Sequence, residues 1–218
     1  MVLTSPIIGV LLLDFEGYSS LELEASPGDS GLGPQPIGFL DNPDSWGCRT
    51  VFRVAKGCSP EVSALGGIEA GGALNEAAKA LEDRVDLITT DCAYTYYAPD
   101  AFTDIKTRVF SSSLYCLEMA RQVANTVAVL SSSAVILESL MKTIPDGVRI
   151  IDLEHYSEWN RYTRFTFNSP PLNRGLMAEE LLDAIENDLS NNGIPGALIL
   201  ECTGLPQFRK VIREVYDG

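Results

Sequence analysis

A chain of 218 residues, with 45% hydrophobic and 21% charged content, has room for one large α/β domain or two small lobes, each around a sizeable core. Its formal charge of −14 argues against nucleic acid and anionic membranes as partners, because both repel such a surface. Five cysteines without a CxxC pair, and a single histidine, fit neither a disulfide framework nor a zinc site. Reduced thiols and a cytoplasmic location are expected, with no metal.

In chain order, Ile7–Asp14 (IIGVLLLD) is a continuous apolar run suited to a parallel strand buried on both faces. It is too short to span a bilayer and lacks a basic leader region. Asp14 ends it, where a strand's carboxyl end meets a binding crevice, and is a candidate substrate-binding residue. Residues 15–47, rich in Gly, Pro, Ser and Asp, read as a long functional loop. Strand alternation over Arg49–Ala55, a helix over Asn75–Arg84 and a buried strand over Asp86–Thr90 come next. The Gly66-Gly67 and Gly71-Gly72 pairs lack a strand–GxGxxG–helix setting, so nucleotide binding is not expected.

The alternation continues. Helices are predicted at Ala98–Ile105, Leu114–Gln122, Val135–Thr143, Gly175–Leu189 and Gln207–Tyr216. Strands are predicted at Arg108–Phe110, Thr126–Leu130, Val148–Leu153 and Ala197–Leu200, with an aromatic-rich segment at 155–167 between the last two. Strands alternating with helices define an α/β class with mostly parallel sheets.

Two stretches share one plan. Val85–Tyr94 (VDLITTDCAY) and Ala197–Pro206 (ALILECTGLP) each carry an apolar run, an acid, a cysteine and a turn, with Cys92 and Cys202 spaced 110 residues apart. Side chains alternate along a strand, so each acid is expected to point away from its cysteine. A thiol at a strand end before a helix N-terminus is expected to have a lowered pKa. Two such thiols suit general acid–base chemistry at carbon, one removing a proton from one face and the other returning one to the opposite face. The serine runs 111–113 and 131–133 stand at helix starts, where hydroxyls and free N–H groups suit a carboxylate; Thr203, beside Cys202, suits one likewise, and Tyr94, Tyr96 and Tyr97 are candidate walls of the site. Cys48, Cys58 and Cys116 read as small buried hydrophobes, and His155 as a surface or packing residue.

On these residues the chain resembles the aspartate/glutamate racemase superfamily. The resemblance is carried by IGVLLLD, PGD and NPDSW in the long loop, VDLITTDC, RVFSSSL and ILECTGLP. It implies two pseudo-symmetric Rossmann-like or flavodoxin-like lobes with a cleft between them, residues 1–113 plus 207–218 forming one and 114–206 the other. It also implies a homodimer that needs no cofactor, pyridoxal phosphate included, and acts on a small carboxylate. Cys92 and Cys202 resemble the two catalytic cysteines, Thr203 resembles the residue that helps to hold the carboxylate, and the resemblance places Ser132 and Ser133 near the family's third-strand binding turn. Ala93 and Tyr94 stand where amino-acid racemases carry Asn-Thr, and Gly204 where they carry His, so aspartate or glutamate is not the implied substrate. A racemase or epimerase is expected, with a same-fold decarboxylase, a cis–trans isomerase or an inactive ligand-binding relative as alternatives. The family's pattern also implies a further strand and helix beyond Gly218.

Overall fold

The computed structural model describes residues 5–16, 18–31, 39–65, 68–164 and 169–216. Residues 32–38 of the long loop, the Gly66-Gly67 pair and residues 165–168 of the aromatic-rich segment lie outside the described residues. The chain divides into two compact units, Met1–Ser112 and Ser113–Gly218.

In the first unit, β1 (Ile7–Leu12) lies between β3 (Arg49–Val54) and β4 (Leu87–Thr90), parallel to both. β2 (Glu22–Ala25) pairs antiparallel with the outer side of β3, and β5 (Arg108–Val109) pairs parallel with β4, completing a five-stranded sheet. Successive side chains of β1 feed two cores: Leu11 packs with Leu74, Leu81 and Ile88, whereas Val10 and Leu12 pack with Phe52 and Val54. Both faces are therefore covered, which is why the run is apolar throughout. α1 (Pro60–Leu65) and α2 (Ile68–Leu81) connect β3 to β4. Gly9 lets α2 close on the sheet: a Cβ there would lie 2.8 Å from Leu81 Cδ1.

In the second unit, β6 (Val127–Ser131) lies between β7 (Val148–Asp152) and β8 (Ala197–Leu200), again parallel to both. All five β6 residues are buried. α3 (Cys116–Val123) precedes β6, and α4 (Ala134–Met141) connects β6 to β7. α5 (Ser157–Thr163) and α6 (Arg174–Asn192) connect β7 to β8, and α7 (Arg209–Val215) comes last. Leu130, Trp159, Met177 and Leu181 form the core. No helix among the described residues is long and apolar enough to cross a membrane.

The α/β class and its mostly parallel sheets match the sequence expectation, and four local readings change. The 15–47 segment contains β2 and a helical turn at Pro43–Ser45. The alternating glutamates of β2 mark an edge strand, with Glu22 paired to Arg53 and Glu24 to Arg49. The aromatic-rich segment contains α5, whose short span carries little periodicity to detect. The predicted Ala98–Ile105 helix is instead one short 3₁₀ turn, Pro99–Phe102, which follows another at Ala93–Tyr97. Residues 207–218 were expected with the first lobe; α7 belongs to the second unit, where Ile212 joins the Trp159 core and Tyr216 Oη donates to Pro195 O at 2.8 Å.

Candidate active site

The two units repeat one topology around their cysteines. In each, the first parallel strand (β1 or β6) is flanked by the second (β3 or β7) and the third (β4 or β8), so the connections leave to opposite sides. Carboxyl ends of strands at such a switch point form a binding crevice. Cys92 stands two residues beyond β4, and Cys202 two beyond β8. Each occupies the same place in its own unit.

The acid before each cysteine has a shared structural task. Asp91 Oδ1 accepts the Leu13 N–H at 3.0 Å, tying the exit of β1 to that of β4. Glu201 accepts the Ser131 hydroxyl at 2.8 Å and the Ser132 N–H, tying the exit of β6 to that of β8. Loss of solvent pushes both carboxyls up, Asp91 to about 8 and Glu201 to about 7. Asp41, buried in the first unit, is likewise raised to about 7.

The environment of Cys202 overturns the expectation of a lowered pKa. Burial and the neighbouring Glu201 charge push its thiol up to about 11, outweighing hydrogen bonds from the Gly204 N–H, the Tyr162 hydroxyl and Ser132. The sulfur belongs to a residue only 6% exposed. The next element in the chain is the three-residue 3₁₀ turn Pro206–Phe208, too short to supply a helix dipole. Alternation along the strand does not remove the electrostatic influence of Glu201, because charge acts through space at adjacent positions.

Around Cys92 the backbone is held by two buried threonines. Thr90 Oγ1 lies 2.6 Å from Ser111 O and 2.9 Å from Cys92 O; Thr95 Oγ1 lies 2.9 and 2.7 Å from the same carbonyls. Two hydroxyl protons thus serve two carbonyl oxygens. Ser63 of α1 places its Oγ 3.2 Å from Cys92 Sγ. Cys92 itself is partly exposed and precedes the 3₁₀ turn Ala93–Tyr97, without the α-helix N-terminus that was expected.

The other sequence candidates divide. Asp14 joins the turn after β3, its carboxylate accepting the Gly57 N–H at 2.9 Å and pairing with Lys56 Nζ at 3.1 Å. Ala93 and Tyr94 are buried beside Cys92. Ser133 caps α4 by accepting the Ile136 N–H at 3.3 Å and donates to Glu154 Oε2 at 2.5 Å, so its hydroxyl is committed within the protein. Ser132 reaches Cys202, and Thr203 is half-buried next to it. Cys58 is fully buried, with its thiol raised to about 11, as suits a small hydrophobe. Cys48 and Cys116 are partly exposed rather than buried. His155 is exposed, 3.3 Å from Asp152.

Tyr162 and Ser63 were not singled out from the sequence. The signal for Tyr162 was Gly204: a Cβ there would lie 2.8 Å from Tyr162 Cζ and 2.9 Å from its hydroxyl. The glycine is the complement of the ring.

This structure shares its fold with solved racemase structures, at low sequence identity. Allantoin racemase from Klebsiella pneumoniae aligns with a TM-score of 0.56 at 14% identity, covering 96% of this chain and 80% of that one. Picrophilus torridus aspartate racemase aligns with a TM-score of 0.51 at 16% identity, covering 93% and 83%. An unliganded arylmalonate decarboxylase aligns with a TM-score of 0.46 at 14% identity, covering 97% and 84%. No family model and no curated protein matches the sequence.

Proposed function

We propose that this protein is a cofactor-independent racemase or epimerase acting at the α-carbon of a small carboxylate or amino-acid derivative, with Cys92 and Cys202 as its acid–base thiols. The observation that carries this reading is the repeated placement of an acid–cysteine pair at the carboxyl end of the third parallel strand in each unit. The fold shared with two racemases supports it.

Cys202, with its thiol near 11, is protonated at neutral pH and is the donor in the resting direction. Cys92, as thiolate, takes the α-proton; the C–H electron pair passes into an enediolate. Cys202 S–H then delivers its proton to the opposite face, leaving a thiol at Cys92 and a thiolate at Cys202. The Gly204, Tyr162 and Ser132 donors act most strongly on that thiolate, so they favour the state reached after transfer. Reverse turnover, or exchange with solvent, resets the pair. The Thr203 N–H and hydroxyl are the local donors for the substrate carboxylate, which the net charge of −14 would otherwise repel.

The test is incubation in D₂O with amino acids, hydantoins, allantoin, and substituted malonates and maleates, following α-proton exchange by NMR. The expected result is deuterium incorporation and interconversion of enantiomers for one substrate class, abolished in Cys92→Ser and in Cys202→Ser. Full racemisation by both single variants would overturn the two-thiol reading. Decarboxylation or cis–trans isomerisation would replace it with another reaction, and binding without exchange would favour an inactive relative.

A further inference from the structure

In both units the helix after the second parallel strand directs a hydroxyl to the cysteine after the third. In the first unit α1 follows β3, and its Ser63 Oγ lies 3.2 Å from Cys92 Sγ. In the second unit α5 follows β7, and its Tyr162 hydroxyl bonds to Cys202. The correspondence joins two residues of different size and acidity, 99 positions apart. Neither belongs to the repeated acid–cysteine stretch.

Tyr162 is held firmly. Glu180 of α6 accepts Ser157 Oγ at 2.6 Å, the Glu158 N–H at 3.0 Å and the Trp159 N–H at 3.2 Å, which satisfies the first turn of α5. Trp159 donates its indole N–H to Met177 O at 3.0 Å and meets the Tyr162 ring edge-on at 5.6 Å. The ring also occupies the space that a Cβ at position 204 would need. Gln207 Nε2 donates to Gly204 O at 3.0 Å, fixing the peptide that carries the glycine. A phenol ring packed against Trp159 and Gly204 has little freedom beyond its hydroxyl proton.

We propose that Tyr162 is a positioning residue for Cys202, donating its hydroxyl to the sulfur and stabilising the thiolate, and that Gly204 is the glycine its ring requires. This rests on reading Cys202 as an acid–base thiol. The phenol orients the sulfur and lowers the cost of its charge when the proton has gone to carbon. The proton on sulfur, not the phenol's, is the one transferred. Ser63 has the corresponding place at Cys92, with a smaller and less acidic hydroxyl.

The experiment follows iodoacetamide alkylation of Cys202 by peptide mass spectrometry across pH 7–10, in wild type, Tyr162→Phe and Gly204→Ala, beside α-proton exchange in D₂O. Tyr162→Phe keeps the ring and removes one donor, so Cys202 alkylation at a given pH is expected to slow roughly tenfold, the scale of one hydrogen bond to a charged group. Cys92 alkylation, read in the same digest, is expected to stay unchanged. Gly204→Ala displaces the ring and is expected to slow Cys202 similarly, with no further loss in the double variant. Unchanged Cys202 alkylation in Tyr162→Phe would overturn the proposal, as would an equal change at Cys92. If Cys202 slows as expected but no substrate exchanges in wild type, the positioning role stands and the racemase reading falls.

Discussion

The Ser131 hydroxyl donates to Glu201 Oε2 at 2.8 Å, and the two residues are 0% and 3% exposed. The contact holds a carboxyl with a pKa near 7 one residue before the Cys202 thiol, whose own pKa this carboxylate raises. Cys202 therefore has a reactivity that depends on a neighbour titrating in the physiological range.

Glu201→Gln removes that charge and keeps an acceptor for Ser131. Cys202 alkylation at fixed pH is expected to rise several-fold, because the thiolate no longer faces a carboxylate. In wild type the pH profile of Cys202 alkylation should bend near pH 7, as Glu201 ionises; in Glu201→Gln the bend should vanish. A profile unchanged by the substitution would show that the two groups do not interact.

Thermal stability should fall as pH rises from 5 to 8. Glu201 and Asp41 are raised to about 7 and Asp91 to about 8, so the folded protein keeps these protons where the unfolded chain has lost them. Their contribution is present in full below about pH 4 and drains as pH rises through the folded values, each tenfold gain in proton affinity on folding representing about 1.4 kcal/mol. Asp41→Asn and Glu201→Gln should each flatten the slope. Calorimetry across this range decides it, and a Tm that climbs toward pH 8 would contradict it.

Thr90→Val removes a buried hydroxyl shared by the Ser111 and Cys92 carbonyls, leaving the Thr95 hydroxyl to serve both. A loss of about 1–2 kcal/mol is expected in urea unfolding. Substrate exchange should fall as well, since the peptide carrying Cys92 loses a fixed partner.

Glu180→Ala strips three donors at the start of α5 of their acceptor. The expected cost is about 2–3 kcal/mol, with loss of Cys202 reactivity through Tyr162. Tyr162→Phe, by contrast, should change reactivity with little effect on unfolding. Comparing the two by chemical denaturation and alkylation separates folding from positioning.

The α/β class, most strands of the sheets and the position of Cys92 and Cys202 just beyond a strand end were legible in sequence. Runs such as Ile7–Leu12 and Val127–Ser131 are apolar because both faces are covered, and that requirement is written locally. The Ala197–Leu200 strand was legible to the residue. Short elements were not: β2 and α5 span four and seven residues, too few for periodicity to outweigh the turn-forming residues around them.

What the sequence determined by itself is which residue types stand at the strand ends, because strand length and alternation are properties of neighbouring positions. Tertiary structure decided what those residues experience. The thiol of Cys202 was expected to be lowered and is raised, because desolvation depends on everything packed around the sulfur. Tyr162 reaches that sulfur from 40 positions away, and only the path from β7 through α5 brings it there. Gly204, which in sequence is only a departure from a pattern, becomes in three dimensions the space that Tyr162 fills.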